Sequence, residues 1–287
     1  MHSQPTTRRL PPWFRIRLAA GGRLMDVRNL VRNNDLHTVC QSASCPNRME
    51  CWNEGTATFL ILGNVCTRGC RFCNVPKGAP EGLDLDEPNR VALAVAALHL
   101  NYAVITSVTR DDLADGGAAI FAETIKAVRE QVPGCRVEVL IPDFQGSEAA
   151  LGAVLRAAPD VLNHNLETVP SLYARVRPRA DYPRSLQLLE RARAYGAATK
   201  TGLMLGLGEN LDEVRSVLHD IKRAGCSVLT LGQYLRPGKS HLPVEKYYHP
   251  AEFDALRKEA LALGIRHVVA GPLVRSSYRA GEQGTGM

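Results

Sequence analysis

The stretch Ala198–Gly232, ATKTGLMLGLGENLDEVRSVLHDIKRAGCSVLTLG, holds a complete strand–helix–strand unit. Ala198–Leu205 is apolar on consecutive positions, which fits a parallel strand buried on both faces. Glu209–Arg223 is amphipathic and reads as a helix, and Ser227–Gly232 is a second buried strand. Outward from it, the same alternation recurs. Further strands are predicted at Ala57–Leu62, Tyr102–Val108, Arg136–Ile141 and Asp160–His164. Helices are predicted at Arg90–His99, Ala118–Gln131, Glu148–Ala157, Pro183–Tyr195 and Ala251–Gly264. Asp84 to Pro88 looks like the start of a helix, with acids near its positive end. Six β/α units in succession imply a right-handed parallel barrel or an open doubly wound sheet. Either fold puts functional groups at the C-terminal ends of the strands. Residues 1–56 fit no such unit and read as an N-terminal extension. The barrel then spans 57–270, and 271–287 is a Gly- and Ser-rich tail able to fold back as a lid.

Composition bounds the function. The 287 residues are 45% hydrophobic and 22% charged, an ordinary globular balance. No run approaches the roughly 18–20 apolar residues of a membrane span. The first residues lack the apolar core of a secretory signal, and a cytoplasmic chain is expected. The net charge of +6 is a mild positive field, without the Lys/Arg blocks of a nucleic-acid binder. It favours anionic cofactors or an acidic macromolecular partner.

The eight cysteines are unevenly placed. Cys135 and Cys226 stand alone at the starts of apolar strands and read as small buried hydrophobes. The other six form two triads, Cys40/Cys45/Cys51 and Cys66/Cys70/Cys73, the second directly after the first barrel strand. Clustered cysteines in an intracellular chain point to metal or cofactor ligation. Thiolates suit iron–sulfur clusters or zinc. A structural zinc site wants four closed ligands, whereas each triad supplies three. Arg68 and Arg71 are expected to offset thiolate charge, and Gly69 to relieve crowding in the loop.

Cys66-Thr67-Arg68-Gly69-Cys70-Arg71-Phe72-Cys73 matches the Cys-x3-Cys-x2-Cys signature of the radical S-adenosylmethionine (SAM) superfamily, including the aromatic before the third cysteine. The upstream triad and the C-terminal Arg275-Ser276-Ser277-Tyr278-Arg279-Ala280 resemble motifs of the lipoyl synthase family. Segments 106–118, 163–168, 200–209 and 232–235, with Trp13 in PPWFRIRL, extend the resemblance over nearly the whole chain. The resemblance implies a partial (β/α)6 TIM-like barrel with N-terminal and C-terminal extensions. It implies two [4Fe–4S] clusters, one on Cys66, Cys70 and Cys73 with an open iron for SAM. The other lies on Cys40, Cys45 and Cys51, with a serine oxygen from Ser277, or else Ser276, completing the set. It also implies insertion of two sulfur atoms at C6 and C8 of an octanoyl chain on a lysine of an acidic lipoyl carrier domain. The auxiliary cluster donates the sulfur, and a ferredoxin- or flavodoxin-like reductant supplies electrons.

Strand-end residues suit this chemistry on their own terms. Phe72 lies in the loop, Glu167 with Asn163 or Asn165 can hold ribose hydroxyls, and Ser107, Arg177 and Lys200 can hold a carboxylate. Loop capping and solvated charge are the plain alternatives. Asp111, Asp112 and Asp115 are expected to cap the helix after Gly116-Gly117, and His164 to be a hydrogen-bonded core residue.

Overall fold

The computed structural model describes residues 10–15, 23–43, 45–53 and 57–283. Expectations for the remaining residues, including the first nine and the last four, lie outside it. The sheet has eight strands in chain order: β1 (His37–Thr38), β2 (Thr58–Ile61), β3 (Tyr102–Ser107), β4 (Arg136–Leu140), β5 (Val161–Asn163), β6 (Thr199–Leu205), β7 (Val228–Gln233) and β8 (His267–Gly271). β2 to β8 are parallel, and β1 is antiparallel to β2. β1 and β8 are the two ends of that order, so the curved sheet is a partial, TIM-like barrel. The helices are α1 (Arg23–Asn33), α2 (Val39–Ser42), α3 (Arg48–Asn53), α4 (Glu87–Ala97), α5 (Ala118–Gln131), α6 (Glu148–Arg156), α7 (Tyr173–Val176), α8 (Tyr182–Ala194), α9 (Leu211–Arg223), α10 (Pro250–Ala262) and α11 (Ala280–Gln283).

The six expected strands are all present, and β1 and β8 add one at each edge. β1 has two residues, too few for a periodic signal. β8 is half-buried along its whole length and lacks the continuous buried run of the inner strands. Those inner strands fit the expected pattern: Phe59, Ile61, Ile105, Val137, Val139 and Leu229 are fully buried. Each such side chain contributes about 1.5–3 kcal/mol on burial.

Several helix starts shift for identifiable reasons. α9 begins at Leu211 because Asn210 and Glu213 form a reciprocal capping box. Glu209, expected inside the helix, is buried instead and accepts hydrogen bonds from Gly206 and Leu207 N–H at 2.5 and 3.0 Å. Glu87 opens α4 with its carboxylate turned inward, accepting the Leu62 N–H at 2.7 Å. Of the three aspartates expected to cap α5, only Asp115 does so, through the Gly117 and Ala119 N–H groups. Asp111 and Asp112 are taken by Arg68 and Arg110. Cys135 and Cys226 are buried, as expected of small hydrophobes. No helix among the described residues is long and apolar enough to cross a membrane.

Candidate active site

One cavity of about 590 Å³ is lined by all six clustered cysteines, by the tail residues Val274–Tyr278, and by residues at the C-terminal ends of β3 to β7. The fold thus brings together two triads and a tail that are up to 238 residues apart in sequence.

The Cys66–Cys73 loop is fixed by backbone bonds to three neighbouring segments. Cys66 N–H donates to Pro76 O at 2.8 Å, Thr67 N–H to Thr109 O at 3.0 Å, and Arg71 N–H to Val176 O at 2.9 Å. The Arg68 and Thr109 N–H groups both point at Cys66 Sγ, at 3.4 Å. Such donors to sulfur raise the potential of a bound cluster. Arg68 is not the thiolate counter-charge expected of it. Its guanidinium is buried against Asp111 at 2.7 and 2.8 Å and Asp143 at 2.5 Å, so its charge is already met and its role is to brace the loop. Arg71 is exposed, and a Cβ on Gly69 would meet nothing within 4 Å, so crowding does not require that glycine.

In the upstream triad, Cys40 sits on α2, Cys45 in the following loop and Cys51 on α3. Thr38 caps α2 through the Gln41 N–H, Cys45 N–H donates to Cys40 O at 3.1 Å, and Cys51 N–H to Asn47 O at 2.9 Å. Asn74, next to Cys73, donates to Ser42 O at 2.9 Å and ties the two loops together. Arg275, Ser276 and Ser277 face the same cavity.

Each triad supplies three thiolates, which suits a cluster with one iron left open and not the closed four-ligand set of a structural zinc. Among the described residues, no three His, Cys, Asp or Glu side chains converge where one metal ion would sit. Thiolates around an iron–sulfur cluster bind different irons and stand farther apart than ligands of one zinc. Burial raises the Cys45 and Cys70 thiols and pushes Cys73 up to about 11, so these groups are protonated at neutral pH until iron binds.

Phe72, Ser107, Asn165, Glu167 and Arg177 line the cavity. Asn165 Nδ2 donates to Glu167 Oε1 at 3.1 Å, and Arg177 is held by the Asn165 and Leu166 carbonyls at 3.0 and 3.1 Å. Glu167 adopts φ +67°, an uncommon conformation for a residue with a Cβ. Burial raises its carboxyl pKa, against the opposing pull of Arg177. Ser107 Oγ, Asn165 Oδ1, His164 Nε2 and Arg177 Nε are buried without a protein partner. A polar ligand with both donors and acceptors fits this wall, since such atoms are costly to leave unpaired. SAM has that character.

Two expected contacts lie elsewhere. Lys200 does not reach the cavity: it is paired with Glu138 at 2.9 Å, and Asn163 Nδ2 donates to the same carboxylate at 3.0 Å. Leu140 and Gly202, two residues further along β4 and β6, line the cavity. Side chains alternate with period two, so the ion pair lies one layer deeper, inside the barrel. His164 is the residue that sequence reasoning undervalued. Its Nδ1 lies 2.9 Å from Ile141 O, as expected of a core histidine, yet its Nε2 is an orphan atom in the cavity wall.

Residues 60–221 match the Radical SAM superfamily model. The chain is 57% identical to a lipoyl synthase of Koribacter versatilis (strain Ellin345), over 95% of this chain and 90% of the relative. It is 55% identical to a lipoyl synthase of Roseiflexus sp. (strain RS-1), over 97% of this chain and 93% of the relative. Among solved structures, methylornithine synthase shares the fold, with a TM-score of 0.54 and 14% identity over 87% of this chain and 82% of that one. The two cysteine triads on one cavity, the barrel that carries them and this degree of likeness agree: the chain belongs to the lipoyl synthase family of the radical SAM superfamily.

Proposed function

We propose that the chain forms the lipoyl group by inserting two sulfur atoms at C6 and C8 of a protein-bound octanoyl-lysine. The observation that carries this reading is the shared cavity: a radical source and a sulfur source must both face one substrate chain, and Cys66/Cys70/Cys73 and Cys40/Cys45/Cys51 face one space. Cys66, Cys70 and Cys73 would hold a [4Fe–4S] cluster that, with SAM and an electron from an external reductant, would supply the carbon-radical chemistry an unactivated C–H bond requires. Cys40, Cys45, Cys51 and Ser277 would hold a second [4Fe–4S] cluster, which would supply the sulfur. Serine oxygen is a harder ligand than thiolate, which suits an iron that must leave.

The chain's own residues orient and enclose. Arg177 supplies fixed positive charge for the SAM carboxylate, and its Nε is free to donate. Ser107, Asn165 and Glu167 offer hydroxyl, amide and carboxylate groups to the rest of the cofactor. Leu60, Val108, Leu140, Leu203 and Met204 give the cavity an apolar wall, which receives an acyl chain and keeps out water and competing hydrogen donors. Residues 1–56 act as the auxiliary-cluster extension, 57–270 as the radical SAM barrel and 271–287 as the ligand-bearing tail. Clustered cysteines suit a reducing cytoplasm.

The carrier and the reductant are acidic in this reading. Lys77 and Arg236 line the cavity, and Arg71, Arg179 and Lys239 are exposed beside its loops. None of the five is in an ion pair among the described residues, so they offer free charge to an acidic carrier domain or a ferredoxin- or flavodoxin-like donor.

The test is anaerobic reconstitution with iron and sulfide, followed by incubation with SAM, dithionite and an octanoyl-lysine peptide. Mass analysis should show a gain of two sulfurs on the peptide. Iron should fall from about eight per chain to about four in a Cys40/Cys45/Cys51 triple alanine variant that still cleaves SAM. Peptide recovered without sulfur from a fully loaded chain would refute the reading.

A further inference from the structure

We infer that Glu50 is a latch that fastens the C-terminal tail over the upstream cysteine triad, and is therefore a positioning residue for Ser277. Glu50 Oε1 accepts a hydrogen bond from Tyr278 OH at 2.9 Å and another from Arg279 Nη2 at 3.2 Å. A second grip lies on the other side of the serines, where Asn47 Nδ2 donates to Leu273 O at 2.7 Å. Asn47 and Glu50 both belong to the short segment between Cys45 and Cys51. Leu273 and Tyr278 bracket Arg275, Ser276 and Ser277. The segment that joins two of the thiolates thus holds the tail before and after the serine pair.

The chemistry of the grip suits the task. A carboxylate accepts from a phenol and a guanidinium together, and charge-assisted bonds of this kind are roughly twice as strong as neutral ones. The Glu50 side chain is only 19% exposed, so solvent screens the pair less than on an open surface. Asn47 is 5% exposed, and its backbone carbonyl also receives the Cys51 N–H. Glu50 directly precedes Cys51 and Tyr278 directly follows Ser277, so fixing one pair fixes the separation of the other. The serine is thereby registered against the thiolates it would join, and its distance from them is set by this contact.

The inference rests on the reading of Ser277 as the fourth ligand of the auxiliary cluster, and the test separates the two. Glu50→Ala, Glu50→Gln and Tyr278→Phe are prepared as full-length chains, cluster-free and reconstituted. Amide hydrogen exchange is followed across residues 272–283, with iron release to a chelator and ⁵⁷Fe Mössbauer spectra of the loaded chains. In Glu50→Ala the tail should exchange at least tenfold faster in both forms. The loaded chain should lose the signal of the serine-ligated iron of the auxiliary cluster, while that of the open iron on the Cys66/Cys70/Cys73 cluster stays, and it should release iron faster. Glu50→Gln keeps an acceptor for Tyr278 and should fall between parent and alanine. Tyr278→Phe should raise exchange by less than the alanine variant. Both keep the shape of the site, so the test stands even if Glu50→Ala folds poorly. SAM cleavage without substrate should stay at the parent rate in the Glu50 variants, because no hydrogen bond or ion pair among the described residues joins Glu50 to the Cys66–Cys73 loop. Unchanged tail exchange in the Glu50 and Tyr278 variants overturns the latch. Faster exchange with an unchanged iron signature keeps the contact between Glu50 and the tail but overturns Glu50 as the positioning residue for Ser277.

Discussion

Lys200 Nζ lies 2.9 Å from Glu138 Oε1 inside the barrel, and each side chain is 1% exposed. Tyr102 OH and Asn163 Nδ2 also donate to this carboxylate, at 2.8 and 3.0 Å. The ion pair is a stability element one layer beneath the cavity. Lys200→Met leaves the carboxylate buried with neutral donors alone, a change that costs about 3–5 kcal/mol. The double variant Lys200→Met/Glu138→Gln should recover most of that loss. Thermal or urea unfolding of the cluster-free chain checks both. A Lys200→Met chain of parental stability that binds SAM more weakly would return Lys200 to the cofactor.

That position shows where sequence reading runs out. The strands were legible because residues such as Val137, Val139 and Ile105 form buried apolar runs, and the triads because their spacing is local. A lysine at a strand start looks the same whether it faces a ligand or a carboxylate 62 residues away in sequence. Arg68 posed the same problem, since its partners Asp111 and Asp143 lie beyond any local window. Glu50 was invisible for a related reason: its partners are some 228 residues away, at the far end of the chain. Position relative to the strands does carry signal for Ser107, Asn165 and Glu167, because strand ends open into the cavity, whereas Arg177 reaches it from the end of α7.

Arg68 braces the Cys66–Cys73 loop through a planar fork that serves two aspartates at once. A lysine ammonium is a point charge and cannot reproduce that fork. Arg68→Lys should lower the rate of SAM cleavage by about tenfold, of the order expected when a buried charged partner is lost. In the Cys40/Cys45/Cys51 alanine background, iron per chain should fall below the roughly four of a single cluster. Full iron and full cleavage in Arg68→Lys would show that the backbone bonds to Pro76, Thr109 and Val176 suffice.

Gly232 is required by the tail and not by a turn. A Cβ at this position would lie 2.2 Å from Val274 O, closer than real contacts allow, and that neighbour is backbone. Gly232→Ala should therefore displace the tail just before Arg275 while leaving the Cys66–Cys73 loop in place. Sulfur insertion should drop at least tenfold with SAM cleavage retained, a split read from product and 5′-deoxyadenosine measured together. Displacing Val274 should strain the adjacent Asn47 to Leu273 bond, so exchange across 272–276 should quicken as well.

His164 gives the fold a specific acid sensitivity. Burial first, and the nearby Arg177 second, hold its imidazole down at about 4, against 6.5 for the free side chain. The unfolded chain takes up a proton near pH 6.5, and the folded chain resists it until about pH 4. Stability is therefore unaffected above about pH 6.5 and falls as pH drops through that window, by about 3 kcal/mol at its lower end. His164→Asn cannot titrate, so its stability should decline less than the parent's between pH 6.5 and 4, measured by urea unfolding of cluster-free chains. Glu167, raised by burial, contributes to both chains alike, whereas Asp143, held low by Arg68 against its burial, is also lowered by His164. The difference between parent and variant therefore reports the histidine together with its coupling to Asp143. The Nδ1 contact with Ile141 O assigns the ring proton to Nδ1 and leaves Nε2 an acceptor, so ligand donors in the cavity see a neutral base throughout the physiological range. Parallel pH curves for parent and variant would mean that the imidazole takes up its proton equally readily in the folded and unfolded chains, and that its burial does not resist the charge.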